Sequence, residues 1–301
     1  MNGSAADSGP TDGTSDARKV PPVVVGTDGS DHATRAVLWA ADEAVSQNRP
    51  LIIVYAIGGL QPPSLDINGI DVVLRTGREA LDAAAARVAG EHAGIRVSTV
   101  LSRDEATESL LEAAGEHGTV VVGSRGLGGF SALLVGSVGL RTAARAKGPV
   151  VVVRRVAESA GRVVTAAVRD DSDRSALMYA ARTARLHGAS LRVVSVWLFY
   201  QNVGSMATVF DDPSAVVAEA ESKATARMVD PVREAFPDLT VTVETVRAAS
   251  VAGALLEAAT DAGLLVVGAH KPAHRIGHPL GQVTHAVLHH APCPVAVIPR
   301  G

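Results

Sequence analysis

The amino-acid sequence repeats itself, and the repeat restricts the chain to folds that can be built twice. Leu110-Leu111-Glu112-Ala113-Ala114 recurs as Leu255-Leu256-Glu257-Ala258-Ala259, and the same offset of 145 carries Gly118 onto Gly263, Gly123 onto Gly268 and Gly136 onto Gly281. Nearer the start of each half, the segment from Ala36 to Ala41 matches the one from Ala176 to Ala181 at an offset of 140. With 301 residues, 47% of them hydrophobic, there is material for two cores, so the chain reads as a tandem duplication of one domain. The expected domains span 20–156 and 161–301. The polar segment 1–19, rich in Gly, Ser, Asp and Thr, is expected to be a disordered tail.

Within each copy, β-branched runs alternate with amphipathic stretches, as when strands are buried on both faces and crossover helices cover them. In the first copy the predicted strands run from Val23 to Gly26, Leu51 to Tyr55, Arg96 to Leu101, Thr119 to Val122 and Val150 to Val153. Ser30 is a natural N-cap for a helix carrying Ala33, Val37, Ala40, Ala41 and Ala44; Leu81, Ala85 and Val88 mark a second helix, Leu110 and Ala114 a third. The second copy repeats the order, with Ser172 as the expected cap. Five strands and four helices per copy predict an α/β fold of two Rossmann-like, doubly wound, five-stranded parallel sheets. Ligands of such sheets sit at the carboxyl ends of strands where strand order switches.

One segment of the first copy has the makings of a phosphate site. Val120, Val121 and Val122 lead into Gly123-Ser124-Arg125-Gly126, nine residues follow, and then Gly136-Ser137 opens a helical stretch. Glycines let backbone amides turn toward one point, and a helix N-terminus favours an anion through its unpaired N–H groups and dipole. Gly136, Ser137 and Val138 are the candidate amide donors, Ser137 also offers a hydroxyl, and Arg125 offers a charge for phosphate oxygens. This G-x2-G-x9-G-S spacing resembles the ATP-binding signature of the universal stress protein family, and the resemblance extends over both copies. It implies ATP, with Mg²⁺, as the ligand. It also implies that an acidic residue after the first strand faces the adenosine, a role that falls on Asp28 beside Thr27, and that backbone near Ala56 holds the base. A Walker lysine motif and a G-x-G-x-x-G after the first strand are both absent from the sequence.

The second copy keeps the gaps and loses the chemistry. Lys271 stands where Gly126 stood, Gln282 replaces Ser137, and Val168 falls opposite Asp28, so this copy is expected to be degenerate. Six of the ten histidines lie between His270 and His290, and His285 and His289 are four apart on a predicted helix. No H-E-x-x-H acid accompanies them, and they read as surface residues with no metal ligands assigned. Cys293, the single cysteine, reads as a small core residue and suits a reducing compartment. Net charge is −3, and neither half is basic, which argues against nucleic acid as a partner. No apolar run is long enough to span a membrane, and the N-terminal segment lacks the apolar core of a secretory signal, so a cytoplasmic protein is expected.

No catalytic base or nucleophile stands out. The expected function is an ATP-binding, nucleotide-dependent regulator of the stress response acting on an unknown protein partner, with nucleotide ordering the segment from Leu127 to Val135. A weak ATPase and a nucleotide-free partner-binding module are the alternatives. The resemblance further implies that the fifth strands of the two copies associate as an intramolecular pseudo-dimer, with pairing of two chains a further expectation.

Overall fold

The computed structural model describes residues 20–58, 67–125, 135–154, 162–198, 213–269 and 280–300. The expected tail, Gly126, most of the loop that follows it, and His270, Lys271, His274 and His278 lie outside these residues. The first half runs β1 (Val23–Gly26), α1 (Asp31–Ser46), β2 (Leu51–Ala56), α2 (Ile67–Glu91), β3 (Val97–Ser102), α3 (Ala106–Ala114), β4 (Thr119–Gly123), α4 (Ser137–Arg145) and β5 (Val150–Val153). The second half repeats it as β6 (Val163–Val168), α5 (Arg174–Leu186), β7 (Ser190–Leu198), α6 (Pro213–Ala235), β8 (Val241–Ala248), α7 (Val251–Ala258), β9 (Leu264–Gly268), α8 (Gln282–His290) and β10 (Val295–Ile298).

Each half is a parallel sheet of order 3-2-1-4-5, and the two do not stay separate. β5 pairs antiparallel with β10, Val295 opposite Val152 and Val297 opposite Val150, so the strands form one ten-stranded sheet of order β3-β2-β1-β4-β5-β10-β9-β6-β7-β8. Both seam strands are short, wholly apolar and buried at every position. Residues from both halves contribute to one core layer on each face. Val37, Ala40, Leu177 and Ala180 belong to one; Leu110, Val122, Leu255 and Leu288 belong to the other. The sheet ends in β3 and β8, where burial is only partial, so the edges available for strand addition are these and not β5 or β10.

Helix starts are set by local side-chain chemistry. Ser30 caps α1 as expected, its hydroxyl accepting from the Ala33 amide at 3.2 Å. Ser172 does not cap α5. Asp170 accepts from the Ser172 amide at 3.0 Å and begins a short 3-10 turn over Asp171–Asp173, and α5 starts only at Arg174. The Ser172 hydroxyl donates to the same Asp170 carboxylate and so does not serve as an acceptor for the first amides of α5.

The two halves also meet through a buried carboxylate. Glu43 on α1 is 1% exposed, and its Oε2 lies 2.9 Å from Nε2 of His187, the residue that ends α5. Gln47 donates to the other oxygen, and the Tyr179 hydroxyl donates to it at 3.5 Å. The bond to Glu43 raises the His187 pKa above its ordinary value despite partial burial, and Asp42 adds to the rise. The same burial, with Glu43 adjacent, pushes the Tyr179 phenol well up. The stabilisation from a raised histidine is present below the unfolded value of about 6.5 and is lost as pH rises through the folded value. Chemical denaturation of the wild type and His187→Gln across this range should show a difference of about 1–2 kcal/mol at mildly acidic pH that disappears toward high pH; a pH-independent difference would refute the linkage.

Candidate nucleotide site

Strand order places the candidate residues side by side. β1 lies between β2 and β4, so Ala56, Thr27 with Asp28, and Gly123 leave three adjacent carboxyl ends that span about 10 Å. The crossovers from β1 diverge here, which makes this the switch point of the first sheet. The Thr27 amide continues the ladder to the Val54 carbonyl at 2.9 Å. Asp28 then forms an Asx turn, accepting from the Ser30 amide at 3.0 Å, and Gly29 takes the positive φ of 81° that the turn requires. Asp28 is therefore a turn former. It also lies close enough to Tyr55 that its charge adds to burial in pushing that phenol up.

After β2 the chain is held against the β3–α3 connection. Ile57 and Gly58 donate to the carbonyls of Ser102 and Asp104 at 2.9 and 3.1 Å. A Cβ on Gly58 would stand 2.4 Å from the Asp104 carbonyl carbon, so the backbone beside Ala56 is fixed by a contact only glycine allows.

The β4 end is equally tight. A Cβ on Gly123 would sit 2.9 Å from the His32 carbonyl oxygen, which brings this backbone against the first turn of α1. Ser124 is buried, and its amide donates to Val153 at 2.8 Å. Its carbonyl accepts from the Gly136 amide at 2.8 Å, closing the neck of the loop between them. Gly136 is thus the N-cap of α4 with its own amide committed to Ser124, and the donors left are those of the first turn: Ser137, Val138 and Gly139. Gly136 has no side chain to cap this end, and these three amides have no intrahelical acceptor. The Ser137 hydroxyl accepts from Arg141 at 3.2 Å, a pairing that i, i+4 spacing on α4 could have revealed.

Arg125 stands toward the seam. Its charge, after burial and Arg35, holds the His32 imidazole below its usual range, and after burial it lowers Arg154. Nδ1 of His32 is 2.9 Å from Arg35 Nη2, the contact of a neutral imidazole accepting a guanidinium N–H. Arg154 crosses the seam and donates to the Leu288 and His289 carbonyls at the end of α8, a long-range contact with no sequence signal.

In the second half the corresponding space holds the chain's own ion pair. Asp173, 4% exposed, accepts from Arg300 at 2.7 Å and from the Arg169 amide at 2.9 Å. Its Oδ1 lies 2.2 Å from where a Cβ on Gly268, the counterpart of Gly123, would be. Val168 is buried there, and Gln282 begins α8 behind Gly281, which has φ 73°. His285 and His289 stack with centroids 4.4 Å apart. Among the described residues no three His, Cys, Asp or Glu side chains converge on a metal position. Cys293 is 2% exposed, and burial pushes its thiol up to about 12, which keeps it protonated and unreactive. No described helix is long and apolar enough to cross a membrane.

Known proteins resemble this chain along its length. The family model for universal stress proteins matches residues 19–154 and again 161–299. A universal stress protein of Mycobacterium bovis is 30% identical over 293 residues, covering 93% of this chain and 97% of that one. Another, from Mycolicibacterium smegmatis, is 29% identical over 287 residues, covering 92% and 96%. Among solved structures, a universal stress protein from Archaeoglobus fulgidus superposes with a TM-score of 0.69 at 20% identity, covering 93% of this chain and 98% of that one.

The Asp173–Arg300 pair should be worth its position. Asp173→Ala leaves a partly buried guanidinium and the Arg169 amide without their acceptor, and thermal or urea unfolding should register a loss of about 2–4 kcal/mol. A loss below about 0.5 kcal/mol, the ordinary size of a surface change, would mean that the pair does not close the second crevice.

Proposed function

Because the chain belongs to the universal stress protein family, we propose that its first half binds ATP in the crevice between β1 and β4, and that the bound nucleotide makes the protein a regulator of the stress response. The observation that carries this reading is the start of α4: three first-turn amides without a side-chain cap, at the neck closed by Gly136 and Ser124. A triphosphate is the ligand such an end favours, since its charge complements the helix dipole and its oxygens accept from the amides. The adenosine would lie toward Thr27, Asp28 and the fixed backbone at Ala56, with Ser124 and Arg125 between base and phosphates. Mg²⁺ would be held by phosphate oxygens and water.

The second half is assigned no nucleotide. Asp173 and Arg300 fill its crevice, and a carboxylate there repels phosphate, so one equivalent of ATP per chain is expected. Regulation rests on differential binding: a partner protein that recognises the nucleotide-bound first half would shift with ATP level, with no catalytic residue required. A reducing cytoplasmic setting fits the buried thiol of Cys293.

A proline at the first helical position separates the amide from the fold. Gly136 has φ −70° and ψ 155°, the conformation a residue before proline prefers, and proline is well accepted at the position Ser137 occupies. Ser137→Pro should leave stability nearly unchanged and weaken ATP binding measured by calorimetry by roughly tenfold or more, whereas Ser137→Ala, which keeps the amide, should weaken it less. Undiminished affinity in Ser137→Pro would remove the cradle from the proposal.

A further inference from the structure

On the side of the sheet covered by α1 and α5, the two halves line a half-open cavity of about 250 Å³. It lies at the amino ends of β4 and β5, where Thr119 and Pro149 line it, and so at the opposite strand ends from the nucleotide crevice. Three cations line it, Arg49 and Lys147 from the first half and Arg182 from the second, with the hydroxyl residues Tyr179 and Thr183 beside them and Glu116 as the one carboxylate.

Among the described lining residues, cations outnumber carboxylates three to one. Arg49 directs its N–H groups to neutral acceptors, the carbonyls of Pro21, Pro22 and His117, the Gln47 amide oxygen and the Thr119 hydroxyl. The guanidinium is thereby locked in place without a carboxylate partner. Burial lowers its pKa, Tyr179 and Glu43 oppose that fall, and the Arg182 charge adds to it. Arg182 itself is exposed and makes no hydrogen bond or ion pair among the described residues. Lys147 is paired with Glu116. Glu43, whose charge also acts on Arg49, is hydrogen-bonded to His187 and Gln47. Cations that outnumber carboxylates around one recess raise its potential and favour a bound anion.

The cation set is also not a relic of the duplication. Asp42, paired with His92 at 3.1 Å, stands 140 positions before Arg182, and Pro292 stands 145 positions after Lys147.

We propose that this cavity binds a small phosphate-class dianion, either inorganic phosphate or the phosphate of a compact monoester, held between Lys147 of the first half and Arg182 of the second. Arg49 supplies fixed charge, Arg182 and Lys147 supply donors, and the Tyr179 hydroxyl lies at the wall. The volume equals roughly eight waters, enough for a phosphate with a short organic group. This site is independent of the nucleotide reading.

Amide NMR of the full chain, titrated with inorganic phosphate and separately with glycerol phosphate, tests the assignment. Shifts are expected at Thr119, Gly148, Tyr179, Arg182 and Thr183, and Arg182→Glu, an exposed change, should weaken binding tenfold or more while leaving ATP affinity unaltered. Tighter binding of the ester would identify an organic phosphate as the ligand, and equal binding would identify the inorganic ion. The proposal is overturned if about 10 mM phosphate moves none of these amides. It is equally overturned if phosphate moves only Ser137 to Gly139, or if Arg182→Glu binds phosphate like the wild type.

Discussion

The antiparallel bond between β5 and β10 is the contact on which the molecule depends. Each is a four-residue strand buried at every position, and neither half alone could cover the outer side of its own fifth strand. An exposed apolar edge would be a template for aggregation. Pairing the two edges removes both at once and runs the core layers on either face of the sheet through both halves. The buried Glu43–His187 contact and the seam cavity both exist because α1 and α5 are brought together by that pairing.

Both halves keep the same backbone plan and have diverged at the crevice. In the first, Gly123 allows the β4 end to lie against α1, and the N-cap of α4 is a glycine with no capping side chain. In the second, a carboxylate and a guanidinium occupy the equivalent place and satisfy each other. A site that binds a ligand must leave its polar groups unsatisfied until the ligand arrives. In the second half Asp173 and Arg300 satisfy each other internally, which contributes stability.

Much of this was legible in the sequence, for reasons that can be named. Buried parallel strands such as those of β1, β4 and β5 are continuous valine runs, and their limits were read to within a residue of those observed. Ser30 was legible because its cap is local. Ser172 misled because Asp170, two residues earlier, engages both its amide and its hydroxyl, which then serves as a donor and not as a cap. Partial exposure of β3 and β8 was not visible, since edge position is set by strand order and not by composition. At the crevice, the glycines and the start of α4 were evident from spacing. The commitment of the Gly136 amide to Ser124 was not, nor was the Asp173–Arg300 pair, whose members are 127 residues apart. Contacts across the seam, Glu43 with His187 and Arg154 with α8, join residues 134 to 144 apart and leave no local pattern.

Parallel strands within each half and an antiparallel seam between them point the two crevices to opposite rims of one sheet. In a pair of identical subunits every substitution is felt at both rims, and improvement at one is tied to harm at the other. Covalent fusion breaks that symmetry of inheritance. Each rim can drift alone, so a single gene product can keep one end sensitive and let the other become ballast.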